Sequence, residues 1–430
     1  MLRPLSVALV LSSVVAASPA AAQIGGVLID PTGAITVEPD PETPRSRRQS
    51  RRPSVRTAPQ VVSLRRLLER LAARDGDDLD LEARRLAGLT RIDSVTVQPD
   101  DVLLTGPAVD ADTLAEIEEA GQPTTVWLED VAYAIEHVAA GRGRVGCSID
   151  MRPENLKALE RVARVNAAAA SPAQVAARYR QFAGVLGEQD VVTFGLPKNS
   201  HAAVVTVAAD VRMKRIALGV DSSGVRSVKS QLALMKAQGN SVQRWWFVPA
   251  FDPVGVSLTD GGTTYRISGP RVRVLAQEEV VDEDGNRSAA AATRDSTQAF
   301  ARLFSQHMDA VAERRPEVDA LQDLSDAFMV AGLLLHHERE RPDGASPLRW
   351  DILQAVADAR IPRTEWTPPL TMGSESAVRR IGRSMVGILG GVTMTPHAMP
   401  TEAGFQDAAN AASDAASTTV PSDGWYAPAE

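Results

Sequence analysis

The sequence predicts an α+β protein with mixed sheets, packed helices and a C-terminal αα-hairpin. Three observations carry that expectation. Segments of alternating or β-branched character, such as Arg91–Gln98 and Asp190–Phe194, stand among segments of helical period such as Leu128–Ala139. They follow one another without a regular βαβ rhythm, which argues against a doubly wound sheet. Two amphipathic stretches then meet at Arg314-Arg315-Pro316, the break of a helical hairpin.

The chain opens with Arg3, an apolar run from Leu5 to Ala17, and Ala20-Ala21-Ala22 before Gln23. This is the pattern of a secretory signal peptide over residues 1–22, cleaved after Ala22. The apolar run is shorter than the roughly 20 residues that a membrane span needs. The expected location is secreted or periplasmic, with no transmembrane span after cleavage. Residues 23–60 form an Arg/Pro-rich linker of low complexity. It holds two short strands around Pro31-Thr32-Gly33, then six arginines between Arg45 and Arg56 without an acid. Pro and Ser interrupt the arginines and no amphipathic period appears, which favours a solvated linker over an anion-binding arm.

A small α+β domain is expected over residues 61–142. Val61–Ala73 and Asp80–Leu86 read as helices, the second stopped by Gly88. Arg91–Gln98 reads as a half-buried strand, Pro99-Asp100-Asp101 as a turn and Val102–Thr105 as the return strand. Helices follow at Asp112–Ala120 and Leu128–Ala139. A larger α+β domain is expected over 143–395. It opens with a strand at Val145–Ile149 and helices at Pro153–Ala168 and Pro172–Leu186, each with proline in its first turn. Strands are expected at Asp190–Phe194 and His201–Ala208, then a helix over Asp210–Leu218 and another carrying Val225, Val228, Leu232 and Met235. Gln243–Val248 is a strand, and Tyr265–Ser268 with Val272–Ala276 make a strand pair. The helical hairpin carries Phe300, Phe304, Met308 and Val311 on one arm and Leu321, Leu324, Phe328 and Leu335 on the other. Residues 396–430, rich in Ala, Ser, Thr and Asp, read as a disordered tail.

Several strings resemble a secreted bacterial family known as a domain of unknown function. They are RRLAGLTRIDSVTV with VLLTGPA, CSID, SHAAVVTVAADVRMKRIALG and QRWWFVPAFDP, spread over Arg84 to Pro253. The resemblance implies a secreted or envelope location. It brings no activity, cofactor or catalytic residue with it.

Composition narrows the chemistry. The chain has 430 residues, a formal net charge of −8 and one cysteine, so it has no internal disulfide and no zinc site built on two thiolates. Gly141-Arg-Gly143-Arg-Val-Gly146 matches a dinucleotide fingerprint in letters only, because it follows a helix and precedes a strand. No Walker P-loop and no G-x-S-x-G elbow occurs, so no cofactor is expected. His336 and Glu340 share a helix face, but two ligands do not make a metal site.

The candidate residues are few. Cys147, at the start of a strand, is either a nucleophile with His201 as its base or a small buried hydrophobe. Asp210, Arg212, Lys214 and Arg215 form a charged helix that is either anion-binding or solvated and internally paired. Arg244, Trp245 and Trp246 lie on a strand, with the two rings on opposite faces. One ring is a platform for a sugar or peptide, or both are buried between packed layers. The expected function is a non-catalytic binding or scaffolding protein of the envelope. The alternative is a cysteine-dependent hydrolase or transferase using Cys147 and His201. The candidate partner is an anionic or carbohydrate envelope component; the acidic net charge and the export signal disfavour nucleic acid.

Overall fold

The computed structural model describes residues 58–75, 79–119, 125–165, 171–235, 241–250, 255–259, 263–339, 348–363, 371–372, 378–381, 384–400, 406–407, 420–421 and 424–429, plus three short strands nearer the N-terminus. Those three, β1 (Ala22–Ile24), β2 (Val27–Ile29) and β3 (Ile35–Val37), form an antiparallel sheet within a first unit of residues 1–42. The expected strand pair is β2 with β3. Its turn, the rest of the signal segment and the Arg45–Arg56 run lie outside the described residues.

The second unit, residues 43–430, begins with β4 (Ala58–Ser63) and α1 (Leu64–Ala72) where one helix was expected. The switch falls at Ser63, whose hydroxyl accepts from the Arg66 N–H at 3.2 Å and caps the helix. Asp80 caps α2 (Leu81–Arg84), and a 3₁₀ turn over Leu86–Gly88 ends where Gly88 takes φ +76°. The hairpin of β5 (Ser94–Val97) and β6 (Val102–Ala108) follows as expected, then α3 (Ala111–Glu119) and α4 (Leu128–Ala139). Next come β7 (Val145–Met151), α5 (Pro153–Val165), α6 (Pro172–Leu186) and β8 (Gln189–Phe194).

His201–Ala208 is not a strand. It is the first half of one helix, α7 (His201–Ala217), capped by Ser200. Valines and a threonine suggested a strand, but the helix is buried on nearly every side, so no polar face marked its period. The helix expected over Val225–Met235 shrinks to α8 (Gln231–Leu234). Upstream, the Ser223 hydroxyl donates toward the Val225 and Val228 carbonyls, each at 3.0 Å, and folds a compact turn where a first helical turn was expected.

The remaining strands are β9 (Ser241–Pro249), β10 (Val256–Thr259), β11 (Thr264–Ile267), β12 (Val272–Val281) and β13 (Arg287–Ala289). The Asp282–Asn286 turn joins β12 to β13 as a hairpin. Three helices follow, α9 (Asp295–Gln306), α10 (Met308–Ala312) and α11 (Pro316–Arg339), turning at 313–315 as expected. Their packing partners differ: α9 lies on β12, while α11 lies against α4 and α7. The chain ends with α12 (Leu348–Asp358), β14 (Thr371–Met372), β15 (Val378–Ile381), β16 (Ser384–Met394), β17 (Gln406–Asp407) and β18 (Tyr426–Pro428). The tail residues 424–429 are thus ordered against β4, contrary to the expected disorder.

Two sheets organise this unit. One has the order β17-β10-β11-β5-β6-β4-β18, and the other β13-β12-β9-β16-β7-β8-β14 with β15 beside β16. The sheets do not divide at residues 142–143. Strands β10, β11, β17 and β18, from the later part of the chain, complete the sheet founded by β4–β6. The expected pair β11–β12 is also absent, because the two strands belong to different sheets.

The corner between them is built by Arg271, which is 1% exposed. Its guanidinium is paired with Asp326 of α11 and donates to the carbonyls of Gly269 and Ile92, each at 2.7 Å. Asp326 in turn accepts the Ile92 N–H at 2.9 Å, and Gln322 accepts the Arg271 N–H at 3.0 Å. Burial works against the guanidinium's charge, but Asp326 and Asp93 outweigh it and hold the arginine firmly ionised. We expect Arg271→Met, which leaves the Asp326 carboxylate buried without its cation, to lose about 3–5 kcal/mol of stability. Urea unfolding checks this, as a lower midpoint with an unchanged slope.

Candidate functional site

Helix α7 carries most of the residues singled out by sequence, and it packs on β7 and β16. Approach is close because β16 has no side chain at Gly390. A Cβ there would lie 1.8 Å from the Trp245 carbonyl oxygen and 3.1 Å from Asp210 Oδ1. In the space this leaves, Lys214 Nζ lies 3.0 Å from Asp210 Oδ2, and both side chains are fully buried. The ammonium also donates to the Ile149 carbonyl at 3.1 Å. Burial pushes the Asp210 carboxyl up, and Lys214 counters part of that rise. This pair is spaced i,i+4, as the sequence suggested, but it faces the sheet rather than solvent.

Cys147 lies on β7 beside this pair and is 1% exposed. Burial first, and the Asp210 carboxylate second, push its thiol well above the ordinary range. The Val392 backbone, Lys214 and the Thr206 hydroxyl pull the other way and are outweighed. A thiol held protonated is a poor nucleophile. His201 is engaged elsewhere: its Nδ1 lies 2.6 Å from Asp130 Oδ2, and both side chains are buried. Its ring stacks on Trp127 at 4.2 Å between centroids, and the Arg85 guanidinium lies over the same indole at 3.8 Å. Arg85 is held by Glu118 and donates to Thr125 Oγ1 at 3.2 Å. This arrangement ties the start of α7 to α4. It does not join His201 to Cys147.

The other two cations of α7 are also engaged. Arg212 pairs with Glu317 and Asp221, and Arg215 pairs with Asp221 at 2.8 Å. The hydrogen bonds from Arg215 are the main reason that the Asp221 carboxyl sits below its usual range, with Arg212 adding to it. Two arginines against two carboxylates leave little charge for an outside anion.

Trp245 and Trp246 point to opposite faces of the large sheet, as the strand period requires. Both are buried, Trp245 tilted against Phe300 with centroids 5.2 Å apart, so neither ring offers an open platform. Arg244 belongs to a half-buried cluster that the sequence did not disclose. It lies 3.3 Å from Asp150 and 3.1 Å from Glu279, and Arg287 reaches the same two acids at 2.8 and 3.4 Å. Burial opposes ionisation of Asp150, but Arg244, Arg287 and the Ser148 hydroxyl together hold its carboxyl below the usual range. These groups come from β7, β9, β12 and β13, four separate segments, and no local spacing could have announced them.

Two hollows lie away from these residues. A cleft of about 240 Å³ is lined by Arg65, Glu69, Asp100, Asp101, Ile352 and Ala355, and Arg65 bonds to both Glu69 and Asp100. A smaller apolar groove runs between α4, α11 and α12. Among the described residues, no group of three or more His, Cys, Asp or Glu side chains could hold a metal. Glu340, the second half of the His336 pair, lies outside them. No helix among them is long and apolar enough to cross a membrane.

Residues 147–231 match a family model described as a protein of unknown function, DUF1598. The match takes in β7, α5, α6, β8 and α7, and ends at Gln231, the first residue of α8. It is narrower than the Arg84–Pro253 stretch of the resemblance. No curated protein and no solved structure matches the chain.

The Cys147 thiol gives a pH prediction with a definite sign. In the folded chain it keeps its proton, whereas the unfolded chain releases it near the ordinary value of 9.0. Above about pH 9 the unfolded state therefore binds one proton fewer, and this group's contribution to stability falls by about 1.4 kcal/mol per pH unit. Urea titrations from pH 8 to 10.5 check this, with Cys147→Ala expected to remove that part of the slope.

Proposed function

We propose that the chain is an exported, non-catalytic protein that binds or scaffolds a component of the cell envelope. The observation that carries the reading is the state of Cys147: buried, with its thiol pushed up and its surroundings shared with the Asp210–Lys214 pair. The neighbouring reactive groups support the reading in the same way. His201 serves Asp130, Arg212 and Arg215 serve Asp221, and each is part of the packing. Export is supported by the basic start, short apolar run and Ala20-Ala21-Ala22 of the leader. An anionic partner at α7 or a sugar at the tryptophans has lost its basis. An envelope ligand is better sought at the 240 Å³ cleft beside α1.

Alkylation of Cys147 in the folded protein between about pH 5 and 9 tests the catalytic alternative. Labelling only after denaturation is expected. Rapid labelling below about pH 7 that His201→Ala abolishes would establish an activated thiolate and sink the non-catalytic reading. Export has its own measurement. The intact mass of the chain recovered from outside the cytoplasm should correspond to a start at Gln23, and a chain retained inside with its leader would defeat that half of the proposal.

A further inference from the structure

The hairpin tip between β12 and β13 holds a short signal that the fold leaves open. Asn286-Arg287-Ser288 is an Asn-x-Ser sequon, the acceptor signal for N-linked sugar in exported chains, and its middle residue is not proline. Six asparagines occur in the sequence, and Asn286 alone has Ser or Thr two places on. Asp284 stands two residues before it, where the bacterial form of this signal carries an acid. Asp284, Asn286 and Ser288 are all exposed, while Gly285 is buried. With φ at +85°, Gly285 brings the turn so close to α5 that a Cβ on it would lie 2.5 Å from the Pro153 carbonyl oxygen. The glycine seats the turn, and the asparagine after it is left in solvent.

The hydrogen bonds of the tip tolerate a sugar. Asp282 Oδ1 accepts the backbone N–H groups of Asp284 and Asn286 at 2.9 and 2.8 Å, and Asp282 Oδ2 accepts a hydrogen of Asn286 Nδ2 at 3.0 Å. A side-chain amide nitrogen has two hydrogens, so exchanging the other for a sugar leaves these bonds in place. The position also has something to cover. Strand β13 is the terminal strand of the eight-stranded sheet, and it pairs only with Glu279–Val281 of β12. Val280 lies opposite Ser288 in that pairing and is 52% exposed, one of two exposed large apolar side chains among the described residues. An apolar strand exposed at a sheet edge is a template for pairing with other chains, and a bulky, solubilising group beside it blocks that approach.

We propose that Asn286 is a site of N-linked glycosylation that stays accessible in the folded chain. The inference rests on the export reading above, because the sugar donor is met on the way out of the cytoplasm. That donor is an oligosaccharide joined through its anomeric carbon to a lipid pyrophosphate. Asn286 Nδ2 bonds to the anomeric carbon, the bond from that carbon to the pyrophosphate oxygen breaks, and the lipid pyrophosphate leaves with the electron pair. The amide gives up one proton to a base of the transferring enzyme, and nothing is oxidised or reduced. The Ser288 hydroxyl is the part of the signal that the enzyme reads beside the asparagine. The glycan then stands one residue before β13, at the edge that carries Val280.

The intact mass of the full chain recovered from outside the cytoplasm of its native cell tests this. The chain is expected to start at Gln23 and to carry an excess equal to one oligosaccharide, which fragmentation of the tryptic peptide 274–287 places on Asn286. Asn286→Gln and Ser288→Ala are each expected to abolish the excess and Ser288→Thr to keep it, all with unchanged far-UV dichroism. A chain that starts at Gln23 with the mass of the bare polypeptide overturns the site and leaves the export reading standing. An excess that survives Asn286→Gln overturns it as well. Should the chain stay inside with its leader, export has failed on its own account. The purified folded chain is then incubated with a solubilised oligosaccharyltransferase and a lipid-pyrophosphate oligosaccharide. Transfer to Asn286 supports the site, and no transfer, while a control acceptor peptide is modified, overturns it.

Discussion

The two sheets meet where a single guanidinium is taken out of water, and that constraint governs the rest of the unit. Arg271 sits between β11 of the seven-stranded sheet and β12 of the larger one, and its donors are spent on Asp326, Ile92 and Gly269. A buried ion pair is costly unless its remaining hydrogen bonds are met. Here they are met by three different segments: the stretch before β5, the corner itself and α11. The corner is tied together by all three, and α11 is fixed to it by the same contacts. The helix is buried along most of its length, including the acids Asp319, Asp323 and Asp326.

A second buried pair does for α7 what the first does for the corner. Asp210 and Lys214 put one positive and one negative charge against β7 and β16, in a space that exists because Gly390 has no side chain. The residues most suggestive of chemistry in this chain are thereby consumed by its architecture. Cys147 loses its acidity to that setting, and His201 is held at the far end of the helix by Asp130 and Trp127.

Legibility in the sequence followed the visibility of a polar face. Helix α4 was read to the residue, and the β5–β6 hairpin in its place though not in its bounds, because punctuation or periodicity marked them. The first half of α7 was misread as a strand because burial on nearly every side removed the polar stripe that reports a helical period. No strand is expected over β16, the strand between β7 and β9, because both of its faces are covered and alternation disappears. The Asp150–Arg244–Arg287–Glu279 cluster and the Asp130–His201 pair were invisible for another reason. Apart from Glu279 and Arg287, which face each other across the β12–β13 hairpin, their members are far apart in sequence, and a single chain shows no trace of a contact made by folding.

The position of β16 has a kinetic consequence. The large sheet is assembled around a strand that lies near the end of the chain, flanked by β7 and β9 from its first two thirds. In the folded chain β7 and β9 do not pair with each other, so the edges that β16 occupies have no partner in this strand order until residue 394 is available. A chain of fewer than about 390 residues lacks the strand that pairs with both β7 and β9. The order of strands makes completion of this sheet an event of the whole polypeptide, timed by the arrival of its last long strand.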